Sequence, residues 1–170
     1  MSASVFGFPN PVNEVAARAV AAGVLTLSLA TLLLSSVLGS GWLWLSAVLA
    51  YGFVARVATG PRLSPLGQLA TRVIAPRIGH EKLVAGPPKR FAQAMGATMS
   101  LAAVLLHFGF GADGAALVLI GLIALAATLE SVFAFCIGCT VFAGLMRAGL
   151  VPEETCAACA DISLRLNVAT

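Results

Sequence analysis

The sequence predicts an all-α integral membrane protein, a four-helix bundle built from two antiparallel hairpins. Of its 170 residues, 59% are hydrophobic and only 10% are charged, and the mean hydropathy is +0.99. A soluble domain of this size could not bury so much apolar surface. Four apolar segments also approach the ~20 residues that a helix needs to cross a bilayer. We therefore expect one membrane domain that spans residues 1–170.

The four predicted spans should be helices, because the alternating polarity of a membrane β-barrel is absent. Short glycine-containing connections at Gly39–Gly41 and Gly109–Gly114 should join spans one and two, and spans three and four, as tight hairpins. By residue number, the spans cover about 15–38, 42–58, 91–110 and 115–136.

The segments outside the spans also have helical features. Asn10 or Asn13 should cap a helix start, because an asparagine side chain can accept from an unpaired backbone amide. The connecting loop 59–90 should contain a basic amphipathic helix in the headgroup layer, which Pro76 is expected to end. A short helical tail should occupy residues 137–170. The apolar stripe of the loop helix consists of Leu63, Leu66, Leu69, Ala70, Val73 and Ile74.

The basic residues predict the orientation. All ten Lys and Arg lie on one side of the four-span arrangement, and the two opposite connections hold none. The positive-inside rule therefore places both termini and loop 59–90 on the cytoplasmic face of the cell's inner (plasma) membrane. Membrane lipid is the expected partner, and no nucleic-acid partner is expected. The ten residues are Arg18, Arg56, Arg62, Arg72, Arg77, Lys82, Lys89, Arg90, Arg147 and Arg165.

All four cysteines of the chain fall near its end, in two C-x-x-C pairs separated by sixteen residues. Cys136 and Cys139 close the last apolar run, and Cys156 and Cys159 lie in the tail. Cytosolic thiols are kept reduced, so a permanent structural disulfide is not expected. Two chemistries stay open. The spacing suits a four-thiolate zinc site, and it equally suits two dithiols that exchange with a carrier.

The last apolar run predicts a break near the first pair. As one helix, residues 115–147 would be ~50 Å long, against a hydrocarbon core of ~30 Å. A bend near Phe135–Cys139 would resolve this mismatch. A helix that restarts near Cys139 would place its positive end beside a thiolate and stabilise it.

Glu130 lies about two turns before Cys136, at membrane depth. A carboxylate there is costly and usually has a partner or a function. It would either move protons beside the thiols or form an interhelical hydrogen bond or ion pair. The partners expected from the sequence are Arg18, Arg56, Thr128 and Ser131.

Two stretches carry a resemblance to a known family, FGFPNPVNEVAARAV near the start and FCIGCTVFAGLMRAGLVPEETCAACADI at the end. They resemble a bacterial membrane family catalogued as domain of unknown function 4395. The resemblance implies a small multi-span protein associated with thioredoxin-like and rhodanese-type sulfurtransferase neighbours. It therefore favours sulfur or thiol handling, with a soluble protein of either type as partner.

The leading hypothesis is a membrane-bound thiol–disulfide or sulfur relay. In it, Cys136 and Cys139 form a membrane-side dithiol, Cys156 and Cys159 form a mobile carrier pair, and Glu130 handles protons. One alternative is a non-enzymatic membrane protein in which the same four cysteines bind a structural zinc ion. Another is a transporter of a small sulfur compound that uses Glu130, for which four short spans would need to form a homo-oligomer.

Overall fold

Four long apolar helices dominate the structure, a computed structural model that describes residues 9–79 and 82–151. Each is long and apolar enough to cross a membrane, and each exposes large apolar side chains, such as Leu33, Leu105 and Val118. Such surfaces indicate a membrane protein. The helices are α1 (Glu14–Leu38), a 3₁₀ helix (Ser40–Trp44) continued by α2 (Leu45–Thr59), α5 (Gly86–Phe110) and α6 (Asp113–Phe133).

The largest difference from the predicted spans is the start of α5. This helix begins at Gly86, five residues before the predicted start at about residue 91. Pro87 and Pro88 lie in its first turn, where the fixed φ of proline suits a helix and its missing N–H has no intrahelical role. Lys89 and Arg90 therefore belong to the helix rather than to the preceding loop.

The long helices pack mainly as two pairs, α1 with α6 and α2 with α5, and α5 also contacts α6. The connection between α5 and α6 is a tight turn with Gly111 in the left-handed conformation, and His107 Nδ1 lies 2.6 Å from Asp113 Oδ1 across it. The predicted hairpin of α1 and α2 is looser, because the 3₁₀ helix lies between them. This short helix contacts α1 more extensively than α2 contacts α1.

Small side chains allow these helices to approach closely. Gly96 of α5 faces the ring of Phe53 on α2, and an added Cβ there would overlap the ring. In lipid there is little hydrophobic drive between helices, so close packing of small residues is the main source of association. The buried small residues of these helices include Ala16, Ser28, Thr31, Ser46, Ala97, Ser100, Ala103, Ala116, Ala124 and Ala127.

The N-terminal segment fastens the start of α1 to the start of α5. Asn13 caps α1 by accepting a hydrogen bond from the Val15 amide at 2.9 Å. Asn10 accepts one from the amide of Gly86 at 3.1 Å, so both predicted capping residues cap a helix, but not the same one. A two-residue antiparallel ladder, not predicted from the sequence, pairs β1 (Val12–Asn13) with β2 (Leu83–Val84).

The connecting loop contains the predicted helical segment, but Pro76 does not end it. Helix α3 (Pro65–Leu69), a π-helical turn (Ala70–Ile74) and α4 (Ala75–Ile78) follow one another directly. The wide π turn accommodates the proline ring, which would clash with the preceding turn of a regular helix. The segment ends at Gly79, which is left-handed. The buried residues of the segment, Gly67, Ala70 and Ala75, are small, and Leu66 packs against Gly23 of α1. Leu69 and Ile78 are exposed.

Candidate functional site

The last long helix breaks just before the first cysteine pair. Helix α6 ends at Phe133, three residues before the predicted end of span four, and Ala134 adopts a left-handed conformation with φ 56°. Cys136 is extended and is the N-cap of α7 (Ile137–Arg147). The predicted bend near Phe135–Cys139 is therefore confirmed. The break places the N-terminus of a new helix directly at the first C-x-x-C pair.

Cys136 and Cys139 are bonded to each other through their sulfur atoms. Their Cα atoms are 5.2 Å apart, within the range of native disulfides. The Cys139 amide also donates a hydrogen bond to Cys136 Sγ at 3.3 Å. Cys136 is buried, with 9% of its surface exposed, whereas Cys139 is half-buried. One sulfur thus faces the protein interior, and the other is closer to the surface.

Close packing against α5 holds α7 in this position. An added Cβ on Gly138 would lie 2.5 Å from both Cα and Cβ of Ala92. One turn further along, the rings of Phe91 and Phe142 are 5.6 Å apart between centroids. Because the backbones touch at Gly138, the disulfide is fixed relative to the first turns of α5.

Glu130 is paired with Lys89, which the sequence analysis did not consider as a partner. Lys89 Nζ lies 2.7 Å from Glu130 Oε1, and the two side chains are only 10% and 15% exposed. The pair joins the start of α5 to the end of α6. Lys89 was missed because it was assigned to the loop, and the signal that could have found it is the Pro-Pro helix start.

The four partners expected for Glu130 make other hydrogen bonds. Arg18 donates to the backbone oxygens of Ser131 and Val132, which caps the C-terminus of α6. Thr128 and Ser131 donate to backbone oxygens of their own helix.

Arg56 is buried and donates to Gln93 Oε1 at 2.7 Å and to Ser64 Oγ at 3.0 Å. Its guanidinium also lies 4.7 Å from the ring centroid of Phe53. It interacts with Glu130 only through longer-range electrostatics. Gln93 and Arg56 thus extend the polar cluster of Lys89 and Glu130 across the bundle.

A cavity of about 260 Å³ lies beside the disulfide. Cys136 and Glu130 are both among the residues that line it. Gln93 adds a polar amide, while most of the wall is apolar. Residues from α1, α2, α5, α6 and the start of α7 enclose the cavity, among them Val24, Phe53, Met95, Met99, Leu122 and Ala126.

Cys156 and Cys159 lie outside the described residues, so their position relative to Cys136 and Cys139 stays a prediction. Within residues 9–79 and 82–151, no group of three or more His, Cys, Asp or Glu side chains converges. The four-cysteine zinc site would need the tail pair, and it also stays a prediction.

A family model described as a domain of unknown function, DUF4395, matches residues 12–147. The chain belongs to this family. The match confirms the family that the sequence resembles. It covers the helices and the first cysteine pair and ends before the second pair, which the resemblance seen in the sequence had included. No curated protein and no solved structure matches the chain significantly.

Replacing Gly138 by alanine should destabilise the site. The new methyl group would overlap the Ala92 backbone, and we expect the free energy of unfolding to fall by about 1–3 kcal/mol, typical of overpacking. Gly144→Ala on the same helix is the matched control, because an added Cβ there meets nothing within 4 Å. Thermal unfolding of the two variants in the same detergent measures their stabilities. Equal stability of the two variants would contradict the close contact.

Replacing Lys89 by methionine should leave Glu130 buried without its partner. We expect a loss of about 3 kcal/mol or more in the free energy of unfolding, as for other broken buried pairs. Lys82→Met is the control, since Lys82 pairs with Glu14 at 2.7 Å but is 74% exposed, and exposed pairs contribute about 0–1 kcal/mol. The double variant Lys89→Met/Glu130→Leu should recover most of the loss. Similar losses in the free energy of unfolding for Lys89→Met and Lys82→Met would show that the buried pair contributes no more than the exposed pair.

Proposed function

We propose that this protein is a membrane-bound thiol–disulfide or sulfur relay. The observation that supports it best is the Cys136–Cys139 pair at the N-terminus of α7, in which the buried Cys136 lines the same cavity as Glu130 and Cys139 is half-buried. A purely structural disulfide would not need a helix N-terminus, an adjacent carboxylate and a cavity at the same sulfur.

Exchange begins at Cys139. A thiolate of a soluble thioredoxin-like or rhodanese-type partner attacks Cys139 Sγ, the S–S bond breaks, and Cys136 leaves as a thiolate. The Cys139 amide and the N-terminus of α7 stabilise this thiolate. A second partner thiol then attacks the mixed disulfide and releases Cys139. The pair gains two electrons, and the partner becomes a disulfide.

Glu130 handles the proton of Cys136 in this scheme. Both groups line the same cavity, and Lys89 holds the carboxylate at 2.7 Å. When Cys136 is released as a thiolate it takes up a proton, and when the disulfide forms again it loses one. A carboxylate beside the sulfur provides a path for that proton through an otherwise apolar wall.

In the wild-type chain, the tail pair Cys156 and Cys159 acts as the carrier: it exchanges with Cys139 in the same way and then with the soluble partner, whereas without the tail pair the partner attacks Cys139 directly. Sixteen residues separate Cys139 from Cys156, which supports this role, because a pair in the same chain can exchange with Cys139 without diffusing to it. The C-x₂-C-x₁₆-C-x₂-C spacing also suits four zinc thiolates. A zinc site would keep all four thiols reduced, and the adduct experiment below separates it from the relay.

The orientation of the helices should place this site on the cytoplasmic side. Reporter cysteines at Ile78 and Gly114 in a chain with its four native cysteines replaced by serine test this. Ile78 is 56% exposed, and Gly114 is exposed in a helix where an added Cβ meets nothing within 4 Å. In intact cells a membrane-impermeant maleimide should label Gly114→Cys and leave Ile78→Cys unlabelled until the cells are opened. The reverse pattern would place the site outside.

The relay predicts an adduct on Cys139. In the Cys156→Ser/Cys159→Ser variant, the oxidised protein is mixed with a thioredoxin that retains only its attacking cysteine. We expect a mixed disulfide on Cys139 in at least about tenfold excess over Cys136, since exchange depends on access to the sulfur. Peptide mass spectrometry of the non-reduced adduct measures the ratio. Cys139→Ser in the same variant is the control and should form none.

Absence of any adduct would contradict the relay. Four thiols that resist oxidation in the wild-type chain until a chelator is added would support zinc instead. If the tail pair is the carrier, the protein with all four cysteines should react faster than the variant.

A further inference from the structure

The cavity beside Cys136 opens toward the surrounding lipid. Leu122 and Leu125 line it and are 47% and 56% exposed on the outer surface of α6. A membrane-dissolved molecule could therefore reach Cys136 through the side of the bundle without passing through water. Cys139, the sulfur nearer the surface, does not line the cavity. The two residues of the disulfide thus have different surroundings.

We propose, on the basis of the relay function, that this cavity binds the head group of a lipid-soluble quinone and that the quinone reoxidises the cysteine pair. The disulfide needs a two-electron acceptor after each exchange with a soluble dithiol. A quinone is the class of membrane-dissolved molecule that takes two electrons and two protons, and quinones drive thiol oxidation in bacterial membranes.

The size and polarity of the cavity suit such a ring. An apolar cavity of about 150 Å³ holds benzene, so about 260 Å³ leaves room for a substituted ring. Its wall is mostly apolar, as in ligand pockets in general. Gln93 and Glu130 add the few polar groups near Cys136, where a quinone oxygen would need hydrogen bonds. The tail of the quinone would leave between Leu122 and Leu125.

The reaction balances with these groups. The Cys136 thiolate adds to the quinone ring, and the Cys139 thiolate then attacks Cys136 Sγ. The S–S bond forms, the bond between sulfur and the ring breaks, and the electron pair stays on the ring. Two S–H bonds are lost, and the two protons reach the quinone oxygens to give a hydroquinone. Glu130 can pass one of these protons.

Anaerobic oxidation by decylubiquinone tests the proposal, since its fully substituted ring forms no lasting adduct with thiols. The reduced Cys156→Ser/Cys159→Ser protein in detergent is mixed with the quinone, and quinone absorbance and free thiols are followed together. We expect one quinone to be consumed per two thiols, with Cys136–Cys139 as the product disulfide. A Cys136→Ser variant should consume none.

Filling the cavity should slow this reaction. Ala126 lines it, so we expect Ala126→Phe to lower the oxidation rate by about tenfold or more. The matched control is Ala115→Phe, on the same helix but at an exposed position outside the cavity. Equal rates in the two variants would mean that oxidation occurs elsewhere and would overturn the site.

A photoreactive azidoquinone gives a second measurement that needs no variant. Labelling of the wild-type chain should fall on cavity residues such as Met95, Met99 and Leu122. Labelling confined to residues outside the cavity such as Leu105 and Val118, both exposed along the helices, would indicate ordinary lipid contact and overturn the proposal.

The adduct experiment with thioredoxin separates this proposal from the relay function. If the adduct forms on Cys139 but decylubiquinone does not oxidise the pair, the relay stands and the quinone site fails. If neither occurs, both fail. An Ala126→Phe protein that still forms the adduct is folded, so its slow oxidation by quinone would support the cavity as the binding site.

Discussion

The thickness of the bilayer is the constraint on which the site depends. The last apolar run is longer than a hydrocarbon core of ~30 Å, and the chain resolves the mismatch by ending α6 at Phe133 and starting α7 at Ile137. Because a break in lipid leaves backbone groups without partners, each side needs a cap. Arg18 caps the end of α6, and Cys136 caps the start of α7. The position of the cysteine pair thus follows from the need to end a membrane helix.

The polar cluster at this end of the bundle has the same origin. The C-terminus of α6, the N-terminus of α7 and the buried carboxylate of Glu130 meet within a largely apolar interior, where unpaired charges are costly. The Lys89–Glu130 pair joins α5 to α6, while Arg56, Gln93 and Ser64 join α5 to α2 and to the loop. These contacts fix the first turns of α5, against which Gly138 packs. The ion pair and the disulfide are therefore held by the same helix.

Sequence reasoning predicts the features that depend on length and local chemistry. The four apolar helices, the capping asparagines and the break near Cys136 belong to this class. Sequence reasoning misses contacts between residues that are far apart in the chain, because no local sequence pattern indicates them. Asn10 bonds to Gly86, seventy-six residues away, and Lys89 reaches Glu130 only because α5 starts at Gly86 rather than at about residue 91. Which cysteine is buried depends on how α7 lies on α5, and no pattern in FCIGC contains that information.

The unequal exposure of the two sulfurs gives the proposed relay a direction. A disulfide whose atoms were both in water would exchange with any soluble thiol, and one wholly within lipid would meet none. In the proposed relay the half-buried Cys139 is the sulfur that a soluble thiol attacks, while Cys136 lines a cavity between apolar helices. Electrons that enter through Cys139 are therefore nearest to membrane-dissolved acceptors when they reach Cys136. The helix break between Phe133 and Ile137 is what gives the two residues of one disulfide these different surroundings.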